Sequence, residues 1–209
     1  MFGIHDFGFF LAAGILLNLT PGPDTAYILG RTVAQGREAG IASALGICVG
    51  SIFHTCAAAL GLSAILLTSA TAFGFIKLLG GAYLIFLGVK MIIDRSKPSG
   101  VPLHFRRCTN AAAFRQGALT NILNPKVALF FLAFLPQFID PASTTKVLAF
   151  LTLGLSFVIT GTIWCLVLVW FASAFSKRFQ TNATIGRWVS GTAGALFIFL
   201  GVRLATVKR

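Results

Sequence analysis

Two ionisable side chains of opposite sign lie within apolar stretches of this chain, one beside each of two proline-containing breaks. Asp24 follows Thr20-Pro21-Gly22-Pro23, and Lys126 follows Asn124-Pro125. A charge inside an apolar span is costly to bury, so it indicates a functional site by default. A carboxyl that pairs with Lys126 in one state and holds a proton in another would suit proton-coupled exchange. The plainer reading is that Asp24 caps the helix after Pro23 and that Lys126 extends to an interface.

The breaks themselves supply polar backbone groups. Proline lacks an N–H and clashes with the preceding turn, and lipid tolerates a freed carbonyl only where protein or a watery cavity satisfies it. The half-helix after a break offers N–H groups to an anion, and the carbonyls before it can hold a cation. Two breaks half a chain apart therefore predict one shared binding site. Its predicted residues are Asn18, Thr20, Pro21, Gly22, Pro23, Asp24, Asn121, Asn124, Pro125 and Lys126, of which the neutral polar ones could equally be helix caps.

Other candidate residues carry weaker signals. His54 lies mid-way along an apolar run and could relay protons, although a lone histidine there is more often a packing residue with a hydrogen bond. Gly46 and Gly50 favour close helix packing. The 4 cysteines show no CxxC spacing, so we expect neither a metal site nor a disulfide framework. No glycine-rich phosphate loop follows a strand, and we expect no cofactor.

The composition indicates an integral membrane protein. Hydrophobic residues make up 56% of the 209 and charged residues only 11%, too little polar surface for a soluble globule. Residues 39–76 and 147–176 contain no Asp, Glu, Lys or Arg, and each run exceeds the roughly 20 residues that cross a bilayer. The sequence predicts an all-α membrane protein with six transmembrane helices, at about 7–29, 39–67, 72–93, 116–139, 147–175 and 188–206.

The net charge of +12 could suggest a nucleic-acid partner, but the basic residues follow the predicted membrane. Short basic loops stay in the cytoplasm, and an anionic inner leaflet accounts for them. We therefore expect no nucleic acid, a cytoplasmic loop at about 94–115 and both termini outside, with the basic tail at 203–209 as a mild counter-argument. The connections after spans one, three and five carry Arg31, Arg37, Lys90, Arg95, Lys97, Arg106, Arg107, Arg115, Lys177, Arg178 and Arg187.

The chain also repeats internally. Residues 81–90, Gly-Ala-Tyr-Leu-Ile-Phe-Leu-Gly-Val-Lys, match residues 194–203, Gly-Ala-Leu-Phe-Ile-Phe-Leu-Gly-Val-Arg, with Pro21 corresponding to Pro125. Three helices per half would place equivalent helices in opposite orientations, as in an inverted repeat. We expect one transmembrane domain over 1–209, with repeats at about 1–95 and 112–209, and with helices 1 and 4 broken at Pro21-Gly22-Pro23 and Asn124-Pro125.

Several stretches together resemble the LysE/RhtB family of amino-acid exporters. They are residues 21–24, 30–31, 36–41, 44–46, 117–126 and 134–138, and the resemblance spans nearly the whole chain. It implies a small exporter, not an enzyme, in the bacterial inner membrane, which moves amino acids such as threonine, homoserine or lysine with the proton gradient. Lipid, amino acid and protons are then its expected partners, and a homo-oligomer stays open.

The charges favour a neutral substrate, such as a hydroxylated amino acid. A cationic amino acid would call for a second acid in the cavity, yet Asp6, Glu38, Asp94 and Asp140 all lie at span ends. Threonine or homoserine is therefore expected over lysine or arginine. A divalent-cation exporter would need several carboxylates or thiols, and an embedded enzyme would need a nucleophile with a base or a metal cluster. These alternatives, and a non-transporting scaffold, have less support.

The topology can be tested at the loop containing Ser99 and His104, which we expect to face the cytoplasm. Ser99→Cys in a cysteine-free background should resist an impermeant maleimide in intact cells and react after the membrane is permeabilised. Ready labelling from outside would reverse the predicted orientation.

Overall fold

The computed structural model describes residues 2–64 and 106–174, together with scattered positions at 75–93 and 195–202. The third and sixth predicted spans and the long repeat match fall largely outside the described residues, so the six-helix inverted repeat stays a prediction. Within the described residues the fold is helical, and the only β-pairing is an isolated bridge between Ile4 and Ile139. The helices are α1 Phe7–Leu19, α2 Pro23–Gln35, α3 Arg37–Ala57, α4 Asn110–Ile122, α5 Pro125–Leu129 and α6 Lys146–Ala174.

Two helices continue through altered turns. A π-helical turn, Ala58–Leu62, extends α3. A π-helical turn, Phe130–Phe134, and then a 3₁₀ turn, Leu135–Phe138, extend α5. Pro136 lies in the last of these segments, where its missing N–H prevents a regular α-helix.

The first predicted break, between α1 and α2, is confirmed. Helix α1 ends at Thr20, whose extended backbone turns away from the helix while its N–H still bonds to the carbonyls of Leu16 and Leu17. Gly22 is fully extended, and Pro23 begins α2. Proline suits the first helical position because its fixed φ matches the helix and its missing N–H has no partner there anyway. Together α1 and α2 form the first broken helix.

The second predicted break, between α4 and α5, is also confirmed. Asn124 caps α5: its side-chain oxygen accepts a hydrogen bond from the Lys126 N–H at 3.0 Å, with Pro125 at the first helical position. The segments on either side are bent by 46°. The predicted start at residue 116 is wrong, because α4 already begins after Thr109, whose hydroxyl accepts from the Ala112 N–H. Helices α4 and α5 with their continuation form the second broken helix.

The two broken helices run antiparallel. The His5 N–H before α1 donates to the carbonyl of Phe138 at the end of the second broken helix, at 3.0 Å. At the opposite end, the Gln35 amide of α2 donates to the carbonyl of Cys108 just before α4, at 2.8 Å. This is the orientation that an inverted repeat requires of its first helices.

The described helices identify an all-α membrane protein. Arg37–Leu62 and Lys146–Ala174 are each long and apolar enough to cross a bilayer, and the bent pair of α4 with α5 is a third if it forms one span. The predicted fifth span, 147–175, thus matches α6 within one residue at each end. Helix α1, with 13 residues, is a shorter apolar helix.

One boundary of the first span is wrong in an informative way. The predicted end at residue 29 placed Arg31 in a connecting loop, but α2 continues to Gln35 and Arg31 is buried. Its guanidinium donates to the side chains of Gln35 and Gln116 and, at 2.8 Å, to the carbonyl of Arg106. Arginine can be buried here because acceptors from three segments satisfy its forked donors.

Two apolar clusters fill the interior. The phenylalanine cluster joins α1, the second broken helix and α6, and the second cluster joins α2, α3 and α6. Aromatic pairs stabilise the first: Phe134 and Phe138 pack edge to face with ring centroids 4.7 Å apart. The phenylalanine cluster is defined by Phe10, Phe130, Phe131, Phe134, Phe138, Phe150 and Phe157; the α2–α3–α6 cluster by Tyr27, Ile28, Leu29, Ala44, Ile47, Cys165, Leu168, Val169 and Ala172.

Helices α3 and α4 touch backbone to backbone. A Cβ added at Gly46 would overlap the carbonyl oxygen of Phe114, and one at Gly117 would lie 2.5 Å from the carbonyl oxygen of Ser43. A Cβ at Gly50 would lie 2.7 Å from the Cβ of Asn121. Small residues thus let two helices approach where lipid gives no hydrophobic driving force, as the spacing of Gly46 and Gly50 predicts.

Gly46→Ala should destabilise the protein, because the methyl group meets a backbone carbonyl that cannot move aside without separating α3 from α4. Overpacking of this kind costs about 1–3 kcal/mol, which should lower the melting temperature of the detergent-purified protein. Gly8→Ala is the matched control, since a Cβ at Gly8 meets nothing within 4 Å. Equal melting temperatures for the two variants would contradict the packing account.

Candidate functional site

A cavity of about 40 Å³ lies where the two broken helices meet α3 and α6. Its walls include members of both apolar clusters, so it lies between them. The lining residues are Leu17, Asn18, Asp24, Thr25, Ile47, Cys48, Ser51, Asn121, Lys126, Val127, Phe157, Val158, Gly161, Thr162, Trp164 and Cys165.

The Lys126 ammonium joins the second break to the first. Its Nζ donates to the carbonyls of Leu17 and Thr20, each at 3.0 Å. Both carbonyls lie at the end of α1: the Thr20 carbonyl is followed by prolines, which supply no N–H to bond it, and the Leu17 carbonyl also accepts the Thr20 N–H at 3.2 Å. An ammonium has three donors, so one remains after these two bonds. The carbonyls that could hold a cation thus hold the protein's own lysine.

Gly22 gives that lysine its room. A Cβ at this position would lie 3.3 Å from the Lys126 Nζ and 3.7 Å from its Cε. A larger side chain in the break would therefore press on the ammonium and compete for the space beside the freed carbonyls. Gly22, between the two prolines, thus leaves space for the Lys126 ammonium and also adopts the extended backbone of the break.

Asp24 is bound from the other break. Its Oδ2 accepts a hydrogen bond from the Asn121 amide at 2.8 Å, while the amide oxygen of Asn121 accepts from the Ser51 hydroxyl at 3.2 Å. The other carboxylate oxygen, Oδ1, is buried with no hydrogen-bond partner among the described residues. A buried carboxylate oxygen without a donor is costly, so this atom is a place for a proton or a cationic group.

Asp24 and Lys126 form no direct ion pair, although both line the cavity. Among the described residues the one salt bridge joins His5 and Asp6 at the surface, at 3.5 Å. The sequence-based expectation that the two charges pair is not met in this state. Each charge instead has polar partners from the opposite broken helix, and the space between them is the cavity.

The remaining predicted residues divide into lining and capping positions. Asn18 lines the cavity, and its amide nitrogen lies 3.5 Å from the Thr160 hydroxyl of α6. Thr20 is not in the lining: its hydroxyl donates to the carbonyl of Leu16 at 2.7 Å. Asn124 caps α5, as the alternative reading allowed. Pro21, Pro23 and Pro125 shape the breaks, so that Asn18, Asp24, Asn121 and Lys126 are the predicted residues that face the cavity.

His54 lies behind Asn121 and outside the cavity lining. Its Nε2 is 3.1 Å from the backbone carbonyl of Asn121. Because a carbonyl can only accept, Nε2 carries a hydrogen in this arrangement. The ring packs near Phe53 and Phe131. His54 thus supports the residue that binds Asp24, and its role as a proton relay remains a prediction.

Sequence reasoning missed the contribution of α6. The wall opposite the breaks includes Gly161, Thr162, Trp164 and Cys165. Helix α6 is apolar on all sides, so its periodicity does not show which face turns inward. Thr160-Gly161-Thr162 is the signal that could have indicated it, as a polar interruption of the apolar run at 147–176. Within the described residues no group of three or more His, Cys, Asp or Glu could hold a metal ion.

A helical membrane protein in which two antiparallel broken helices meet at a cavity lined by charges of both signs has the organisation of a transporter. A model of the LysE type translocator family matches residues 15–208. The chain belongs to this family and is thus a membrane transporter rather than an enzyme.

Relatives of similar length cover nearly all of the chain. An uncharacterized membrane protein of Vibrio cholerae is 30% identical over 207 residues, which span 98% of this chain and 98% of the relative. An uncharacterized membrane protein of Pseudomonas aeruginosa is 28% identical, over 98% of this chain and 96% of the relative. The leucine efflux protein of Salmonella typhimurium is 25% identical, over 99% of this chain and 98% of the relative. No solved structure matches the chain significantly.

Asp24→Asn and Lys126→Met should each abolish transport, but only the second should destabilise the protein strongly. Lys126→Met leaves the Thr20 carbonyl without a donor, at about 1–3 kcal/mol, and the Leu17 carbonyl with the Thr20 N–H alone, whereas Asp24→Asn keeps an oxygen that can accept from Asn121. Because the two charges do not touch, the double variant should stay as unstable as Lys126→Met. Melting temperatures in detergent and flux in vesicles measure both effects.

Lys146→Met is the matched control. This lysine is also buried, and it donates at 2.7 Å to the carbonyl of Ser143, outside the cavity. The variant should keep transport. A double Asp24→Asn/Lys126→Met variant that regains wild-type stability would instead show a direct ion pair.

Proposed function

We propose that this protein exports a neutral amino acid from the cytoplasm in exchange for protons. The observation that carries the proposal is the pair of opposite charges at one cavity, each with hydrogen-bonding capacity left. The Oδ1 of Asp24 has no hydrogen-bond partner among the described residues, and Lys126 has one donor beyond its two carbonyls. A zwitterion that enters a low-dielectric site needs a partner for each of its charges, and this cavity offers one of each sign.

The charge of the cavity supports a neutral substrate. Among the described residues that line it, Asp24 is the one acidic side chain and Lys126 the one basic side chain. A lysine or arginine substrate would bring an additional positive charge, and no second carboxylate of the described lining could meet it. Asp6, Glu38 and Asp140 lie at or beyond the ends of helices in the described residues, away from the cavity, so they cannot supply it.

Two kinds of neutral side chain are supported. Thr25, Ser51 and Thr162 in the lining favour a hydroxylated substrate such as threonine or homoserine. Leu17, Val127 and Phe157 in the same lining, together with the name of the leucine efflux relative, favour an aliphatic substrate such as leucine. A divalent cation is a weaker candidate, because the lining offers one carboxylate and two thiols, Cys48 and Cys165.

Competition for one oxygen would couple the proton to the substrate. A substrate ammonium and a proton would both take the free Oδ1 of Asp24, so that only one is bound at a time. If protons enter from the outer side and substrate from the cytoplasmic side, binding of one releases the other. Exchange then follows from mutually exclusive occupancy.

The proposed orientation places the protein in the bacterial inner membrane with both termini outside. The contact between His5 and Phe138 puts the N-terminal segment on the same side as the end of the second broken helix. The end of α2 lies on the other side with Arg106 and Cys108, where the basic loop is expected to face the cytoplasm. Repeat-built transporters bind substrate between such halves.

Everted membrane vesicles from overexpressing cells test this function. With a proton gradient, acid inside, they should accumulate radiolabelled threonine, homoserine or leucine, but not lysine or arginine. An uncoupler should abolish the accumulation, and vesicles with Asp24→Asn should show none. Accumulation of lysine or arginine without any neutral amino acid would overturn the substrate class, and accumulation that survives the uncoupler would overturn the coupling.

A further inference from the structure

Three residues of the cavity lining carry buried polar atoms that have no hydrogen-bond partner among the described residues. They are the Oδ1 of Asp24, the Oγ1 of Thr162 and the Nε1 of Trp164. Buried polar groups are nearly always paired, so each exception calls for an explanation. Here the exceptions come from two elements, α2 and α6, that both border the cavity.

Thr162 departs from the pattern of its own helix. The hydroxyls of Thr152, Ser156 and Thr160 each donate to the carbonyl four residues earlier, at 2.8 to 3.0 Å. This is the usual way in which a hydroxyl is satisfied within an apolar helix. Thr162 makes no such bond to the carbonyl of Val158. Its hydroxyl is thus available to another partner.

Trp164 departs from the usual behaviour of its residue type. A buried indole N–H ordinarily finds an acceptor, but this one has none in the described part of the chain. The Trp164 ring packs against the α2–α3–α6 cluster. This packing restricts the ring, so the unpaired N–H is a fixed donor.

The three atoms match the ends of a zwitterion. Asp24 Oδ1 can only accept when the carboxyl is ionised, the Trp164 Nε1 can only donate, and the Thr162 hydroxyl can do either. Lys126 lines the same cavity and has one donor beyond its two carbonyls, which adds a positive charge for the carboxylate end. We infer that Trp164 and Thr162 of α6 bind the carboxylate of the exported amino acid, while Asp24 binds its ammonium. This inference rests on the proposed function and adds two residues to its site.

Conservative substitutions on α6 test the assignment. Trp164→Phe keeps an aromatic ring and removes the N–H, and Thr162→Val keeps the shape and removes the hydroxyl. A hydrogen bond to a charged group is strong enough that each variant should raise the half-saturating concentration for threonine or leucine about tenfold or more. Trp170→Phe and Thr152→Val are the matched controls on the same helix, and neither residue lines the cavity.

Amide analogues separate binding from packing. In wild type, threoninamide and leucinamide should compete far more weakly than threonine and leucine, because they lack the carboxylate. Trp164→Phe and Thr162→Val should weaken competition by the acids and leave that by the amides nearly unchanged. A general packing defect would weaken both equally, so equal losses for acid and amide would overturn the inference.

Intrinsic fluorescence gives a second readout that does not require flux. Trp170→Phe/Trp188→Phe leaves Trp164 as the only tryptophan of the 3, and saturable addition of threonine or leucine to this variant in detergent should shift its emission. If wild type transports neutral amino acids but the α6 variants keep its half-saturating concentration, the inference fails and the proposed function stands. If the wild-type protein neither transports nor binds any amino acid, the proposed function itself fails.

Discussion

A helix broken inside a membrane leaves carbonyls that need donors, and the rest of this structure depends on how that need is met. In water, solvent would bond the carbonyls of Leu17 and Thr20. Here the Lys126 ammonium does so at 3.0 Å. Because Lys126 lies in the first turn of the half-helix after the second break, this one side chain fixes the position of each break relative to the other.

The position of Asp24 follows from the same arrangement. With Lys126 engaged by backbone carbonyls, the carboxylate takes its donor from Asn121, and Asn121 is held in turn by Ser51 and near His54. The polar groups thus form two separate sets, one around each charge. Apolar clusters lie beyond the cavity in both directions, so the charges act in a low-dielectric setting where their effect on a ligand is strong.

Much of this arrangement can be predicted from the sequence, because its causes are local. Proline at 21, 23 and 125 interrupts helices wherever it occurs, and long uncharged runs reveal α3 and α6. The missed features are those that depend on three-dimensional contact. The partners of Lys126 lie more than 100 residues away. The inward face of α6 could not be predicted because the helix is apolar on all sides. Arg31 was predicted to lie in a loop because the sequence does not show the acceptors that other segments bring to it.

The backbone contact between α3 and α4 limits how this protein can change shape. Where Gly46 and Gly117 allow main chains to touch, no layer of side chains remains that could slide or repack. Helices α3 and α4 therefore form one rigid unit, which includes Ser51, His54 and Asn121. Helices α1, α2 and α6 contact this unit and each other through side chains, which can exchange partners at small cost. To admit solute, the cavity must therefore open at these side-chain contacts. The hydrogen bonds from Lys126 to α1 would have to lengthen or break in that movement.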